Sequence, residues 1–484
     1  MKFSKPSIAA AALFAASVAA AAPQVSDVAM LQPIGSRMVT ITYRLSEPAI
    51  VTLEVFTNAV PNAATGWTSI GGEAVCTAQG AVWRKVTDAD AVNGTYTITW
   101  RPDLSWKDDE GNGLNAKAGC AKARVTAWAL DNPPDYMVVD ISTDAQPDTQ
   151  RYYPAVDFLP GAEPGQHGAI TNNHIYKTSM LVMRKIPARG VTWTAGSLAS
   201  ETSRHQYGRE NIRHVTFTNN YYMAVFETTQ AQWDLIQTER QSPSYFNNTA
   251  WRDYRPVEQV CYNEIRMAAN NKDADPNAEE WPERPYAGSF LGLLSDKTGI
   301  DFDLPTEAQW EFAARAGHGS PYWGDGTAIK NSHNDSNLNL LGRYALNGGW
   351  VDSGTSASGA SAPAANCDTS RGTAWVGSYK PNSWGLYDMH GNVFEWCIDW
   401  FRNVLTTENG YVADPYGTPI AYEYRNYDQR AIRGGSFGGT NSGDADGYFG
   451  RSGHCRPAWR QYRRPDYREN FIGFRVVCPA DFQN

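Results

Sequence analysis

The chain has 484 residues, 42% of them hydrophobic, with 17 Trp, 42 Gly and only 19% charged residues. That composition is ample for more than one buried core and excludes coiled coil and disorder. The formal net charge of −9 disfavours nucleic acid or an anionic membrane as a partner.

The chain opens with MKFSKPSIAAAALFAASVAAAAPQ. Lys2 and Lys5 precede an apolar run from Ile8 to Ala22 that ends in small residues, the pattern of a cleaved secretory signal over residues 1–22. The run is short and mostly alanine, which argues against a membrane-spanning helix. No cysteine lies near Ala22, so the pattern of a bacterial lipid anchor is missing. The expectation is an exported protein, periplasmic or extracellular, with no membrane span after cleavage. Loss of Lys2 and Lys5 makes it more acidic still.

From Met38 the text reads MVTITYRL, AIVTLEVF, GTYTITW, ARVTAWAL and YMVVDIS. Short alternating or β-branched runs bounded by Gly, Pro, Asn and Asp predict an antiparallel β-sandwich, immunoglobulin- or fibronectin-like, over 24–145. The region holds no histidine and no convergent polar cluster, so it reads as a support or recognition module. Cys76 and Cys120 lie in its loops and are expected either to bridge or to remain separate thiols. The chain carries seven cysteines, an odd number, with no C-x-x-C, which argues against a zinc ribbon or a thioredoxin-like site.

Residues 146–169, rich in Pro, Asp, Gly and Gln, read as a linker. Beyond them short strands, YKTSMLVMRKIPA and HVTFTNNYYMAVFE, alternate with brief helices and long Gly/Asn/Ser loops. TQAQW at 229–233 and TEAQW at 306–310 both predict a helix start with a capping box, threonine at the cap and glutamine three residues on. In LPTEAQWEFAARAG, Trp310, Ala313 and Ala314 share one helical face, Glu307 and Arg315 suit the two ends, and Gly317 marks the stop. Trp310 is expected in the core, with a ligand platform as the alternative.

Six phrases then recur in order: VTFTNNYYMAVFETTQAQW (215–233), RPVEQVCYNEI (255–265), DFDLPTEAQWEFAARAG (301–317), NSWGLYDMHGNVFEWCIDWF (382–401), RGGSF (433–437) and IGFRVV (472–477). Together they resemble the formylglycine-generating enzyme family, the sulfatase-modifying factor domains, over about 170–480. The resemblance implies a mixed, loop-rich α/β domain distantly like a C-type lectin, and so an α+β protein overall. Some members oxidise a sulfatase cysteine to formylglycine, others act on small molecules with iron, and calcium is a common stabiliser.

The GNVFEW turn offers the oxygens calcium wants: Asn392 and Glu395, with Asp388 upstream and Asn337 in the loop NDSNLN for a second site. The alternative is that Asn392 closes the turn and Glu395 holds an arginine. In the oxidases that the chain resembles, two cysteines follow the RGGS turn and bind copper; here Gly438, Gly439 and Thr440 follow Phe437, and neither thiolate is present. Cys455 in CRPAWR stands alone. It is either a working thiol helped by His454, or a structural residue that could pair with Cys397 or Cys478. With 8 His and no His-x-x-x-His, iron has no evident site, and His390 is expected at the surface.

Arg433, Ser436, Trp459 and Arg460 are the residues expected to line a ligand groove, since Arg and aromatics anchor peptides, carboxylates and acidic glycans. The competing reading is that such arginines pair internally with Asp and Glu. The leading expectation is a binding or accessory module for a peptide, protein or glycan. Its rivals are an enzyme of the same fold, oxidising a protein cysteine or using another metal, and a calcium-dependent glycan-binding module.

Overall fold

The computed structural model describes residues 22–106, 120–161, 170–202, 204–205, 209–247, 251–267, 284–330, 334–347, 372–401, 411–413, 429–438 and 451–481. Most of the expected signal segment therefore lies outside the described residues, as does Cys367.

The N-terminal runs form two antiparallel sheets. In one, Val39–Leu45 lies between Val25–Leu31 and Tyr96–Trp100, with Ile41 opposite Ile98 and Tyr43 opposite Tyr96. In the other, Ala49–Asn58 pairs with Cys120–Trp128 from Ile50↔Trp128 to Asn58↔Cys120. Alternation places Val39, Ile41, Tyr43, Ile98 and Trp100 of the first sheet and Val51, Leu53, Val55 and Val125 of the second in one core. Cys76 and Cys120 are unbonded: Cys120 directs its sulfur to the carbonyls of Asn58 and Val60, at 3.1 and 3.3 Å.

Tyr136–Asp140, grouped by its sequence pattern with the N-terminal strands, belongs elsewhere. It lies in a five-stranded sheet in the order Arg151–Tyr153, Tyr136–Asp140, Met180–Ile186, Tyr221–Ala224 and Val477–Pro479. Much of the expected linker is thus built into the fold. Arg151–Tyr153 is a strand, Tyr152 and Tyr153 are buried, and Tyr152 donates its amide to the Trp83 carbonyl at 2.8 Å.

Both capping boxes form. Thr229 and Gln232 exchange hydrogen bonds at 3.2 and 3.1 Å, opening the helix Gln230–Ile236; Thr306 and Gln309 do so at 3.0 and 2.9 Å, opening Glu307–Arg315. The left-handed turn that stops the second helix falls on Ala316 (φ 47°) one residue before Gly317 (φ 88°). A third helix, Phe290–Thr298, starts on Ser289 and ends on left-handed Gly299.

A four-stranded sheet carries parts of three of the six phrases, those at 382–401, 433–437 and 472–477. Its order is Gln461–Arg463, Arg430–Arg433, Phe394–Trp400 and Ile472–Gly473. It sets the RGGSF turn beside the GNVFEW strand, with Glu395 opposite Arg433.

Candidate functional site

The strand Arg430–Arg433 runs into Gly434 (φ 94°) and Gly435 (φ 76°), a backbone only glycine adopts without strain. A Cβ on Gly435 would meet the Cys455 sulfur at 2.6 Å and the His454 carbonyl at 2.8 Å. The turn is therefore pressed onto the 452–455 helical turn. Cys455 is fully buried among Trp323, Ile329, Leu338, Leu341 and Tyr344. Burial pushes its thiol up to about 12, a rise the Ser436 amide only partly opposes. The Ser436 hydroxyl is turned away, donating to the Gly438 carbonyl at 2.8 Å.

Neither expected disulfide partner reaches Cys455. All three cysteines are unbonded, and Cys397 and Cys478 belong to two other hydrophobic clusters.

The two histidines of this region are interior groups. His454 packs against Trp459 with ring centroids 4.4 Å apart and ring planes tilted by 31°; burial, then Arg451 and Arg456, hold its pKa down at about 3. His390, expected at the surface, is buried. Its Nδ1 lies 3.1 Å from the Cys455 carbonyl and its Nε2 accepts from the Gly324 amide at 3.2 Å. That pairing fixes a neutral ring with the proton on Nδ1, in keeping with a pKa lowered to about 4 by desolvation.

The groove residues are also enclosed. Arg433 donates to Glu311 at 2.6 Å and to the Ala458 and Trp459 carbonyls at 3.2 and 2.7 Å. Arg460 forms a two-pronged pair with Glu307 at 2.9 and 2.6 Å, and Arg456 bridges Glu201 and Glu210. Trp459 and Ser436 are buried as well. Burial tends to raise the Glu311 pKa, but Arg315, Arg433 and Arg213 overcome it and bring the carboxyl to about 2. These arginines hold loops together from inside, because a loop-rich fold has few helix and sheet ladders to satisfy its polar groups.

All but one of the side-chain oxygens expected to hold calcium have protein partners. Both Glu395 oxygens accept from Arg475 at 2.6 Å, and one also from the Trp310 indole at 2.7 Å, which makes Trp310 a core residue. The Asn392 amide oxygen accepts from the Ala374 amide at 2.8 Å, while its nitrogen donates to Glu227 at 2.6 Å. One Asp388 oxygen accepts from the Gly377 amide at 2.7 Å; the other is buried without a partner. Asn337 lies in a separate loop and accepts from the Lys330 ammonium at 3.2 Å. An arginine occupies the charge-compensating place at Glu395, so that carboxylate does not fit as a calcium ligand in this arrangement. No group of three His, Cys, Asp or Glu among the described residues could hold a metal.

Glu227 is a further acid of this cluster, one not expected from the sequence. It sits behind Asn392 in the same buried cluster, and burial, Asp388 and Glu395 push its pKa well up. Its only signal was its place in the phrase AVFETTQAQW.

Residues 189–480 match the family model of the sulfatase-modifying factor enzyme 1-like domain. The formylglycine-generating enzyme of Streptomyces coelicolor is 34% identical over 186 residues, 37% of this chain and 47% of the relative. The chaperone protein LppX of Paenibacillus barcinonensis is 26% identical over 226 residues, 44% of this chain and 72% of the relative. The inactive C-alpha-formylglycine-generating enzyme 2 of Bos taurus is 31% identical over 180 residues, 37% and 44% of the two chains. The match thus spans about half the length of the formylglycine-generating enzymes. Among solved structures, Treponema denticola variable protein 1 aligns with a TM-score of 0.41 at 23% identity, covering 62% of this chain and 95% of its own. PvdO from Pseudomonas aeruginosa aligns with 0.41 at 21%, covering 62% and 94%.

Proposed function

The chain belongs to the sulfatase-modifying factor family through residues 189–480, and from that premise we propose that it is an exported binding or accessory protein that keeps the scaffold without the copper oxidase chemistry. The observation that carries this reading is the single thiol at the RGGSF turn. No cysteine lies between Ser436 and Cys455, and Cys455 is sealed beneath Gly435 with its pKa near 12. A soft Cu(I) ion needs a pair of thiolates, and a buried thiol at that pKa is neither ionised nor accessible at neutral pH.

The relatives support a family of mixed roles: beside formylglycine-generating enzymes stand a protein described as inactive and one described as a chaperone. Export is read from Lys2, Lys5 and the apolar run to Ala22. The N-terminal pair of sheets serves, in this reading, as an immunoglobulin- or fibronectin-like support that presents the second domain to a peptide, protein or glycan.

The test is direct. Purified protein, reduced and supplied with Cu(I), is incubated with a Cys-x-Pro-x-Arg peptide in air. The expected result is no stoichiometric copper and no peptide aldehyde by mass spectrometry; formylglycine formed at a useful rate would overturn the reading. The mass of the mature N-terminus checks export, with cleavage expected after Ala22.

A further inference from the structure

A cavity of about 350 Å³ opens where the helix Phe290–Thr298, the stretch Asp301–Leu304 and the strand Val477–Pro479 meet. Its volume suits a small molecule or a single long side chain. None of its lining residues comes from 433–460, so it is separate from the RGGSF turn and from the oxidase question.

The wall has two chemistries. Phe302, Leu304, Val477 and Tyr221 are buried apolar groups that line it. Asp296 and Asp301 line it too and are exposed, against Arg284 as the one cationic residue among the described residues that line it. Asp303 also lines the cavity, but its carboxylate is held by Arg266 at 2.8 and 3.0 Å. The remaining charge is therefore negative, and a low-dielectric wall focuses such a field into the cleft. The field reaches inward: the thiol of Cys478, another lining residue, is pushed up by burial and then by the charge of Asp301.

We propose that this cavity binds a primary ammonium group carried on an aliphatic stem, with the stem on Phe302, Leu304 and Val477 and the ammonium at the aspartate rim. An amphipathic cation of this kind buries its methylenes and keeps its charge at the wet end. A compact point charge suits carboxylates spread around a rim, whereas a guanidinium gains most from one coplanar, two-oxygen partner. A bare metal ion would leave the apolar floor unused.

The test uses the full chain and three probes: n-pentylamine, Nα-acetyl-lysine methylamide and pentan-1-ol, each titrated by ligand-observed saturation-transfer NMR. Pentylamine is expected to bind at least tenfold more tightly than pentanol, with the gap narrowing as salt is added. Asp301→Asn is expected to weaken pentylamine severalfold, and Asp296→Asn with Asp301→Asn more so, with the melting temperature unchanged because both side chains are exposed. Acetyl-lysine methylamide binding alongside pentylamine would identify a lysine side chain as the source; its exclusion while pentylamine binds would identify a free amine. Equal binding of pentanol and pentylamine, or an amine affinity unaltered in the double variant, would overturn the proposal. These results are read without copper or peptide, so they succeed or fail apart from the oxidase test.

Discussion

Gly435 and Cys455 act as one unit. A methyl group at position 435 has neither the backbone nor the space it needs, so Gly435→Ala is expected to cost about 2 kcal/mol or more in a urea unfolding curve. Cys455→Ser places a hydroxyl among Trp323, Leu338 and Leu341 and is expected to cost about 1–3 kcal/mol. In the native protein Cys455 should stay unlabelled by a thiol reagent that reacts fully once the chain is unfolded. His390 and His454 supply a pH signature. Their pKa values in the unfolded chain lie near 6.5, against about 4 and about 3 when folded. Above pH 7 both states are neutral and there is no effect; as pH drops from 6.5 towards 4 the unfolded chain takes up protons that the folded one refuses, and stability falls. His390→Gln should flatten that slope by up to one proton, measured as unfolding free energy between pH 7 and 4.5. The sequence singled out Cys455 and both histidines but could not place them. The glutamate partners of Arg433, Arg456 and Arg460 lie more than a hundred residues away, and no local pattern links them.

At the scale of the element, legibility followed the reach of the interaction. The capping boxes at Thr229 and Thr306 close within three residues, and both were readable as written. Thr306→Ala is expected to cost about 1 kcal/mol. The helix that Thr306 starts presents Glu311 to Arg315 on the same helix and to Arg433 from the adjacent sheet. Glu311→Gln would leave those guanidiniums short of a buried counter-charge, with an expected loss of about 3–5 kcal/mol in a denaturant titration. The strand Tyr136–Asp140 marks the limit of such reading. Its alternation identifies a strand but carries no label for a sheet, and its neighbour Met180–Ile186 is revealed only by the register Val182↔Val138. The same limit hid the strand Arg151–Tyr153, whose three residues are too few to stand out in a Pro- and Gly-rich stretch.

Across the whole molecule, the two regions that differ in sequence share their interior. One core includes Val51 and Leu53 from the N-terminal sheets together with Val225, Phe226 and Val376. The opposite face of the same strand sends Ile50 into the other large core, against which Trp128 packs. A chain cut at the apparent boundary, residues 170–480, would lack two strands of its five-stranded sheet. It is expected to show no cooperative thermal transition, while the chain from 24 onward melts in a single one; calorimetry of both checks this.

The pairing of Val477–Pro479 with Tyr221–Ala224 joins stretches separated by half of the polypeptide. During synthesis, the earlier strand therefore waits for its neighbour until the ribosome has delivered residues 477–479. Until then the sheet keeps an open edge along Tyr221–Ala224, and the last few residues to be made are the ones that close it.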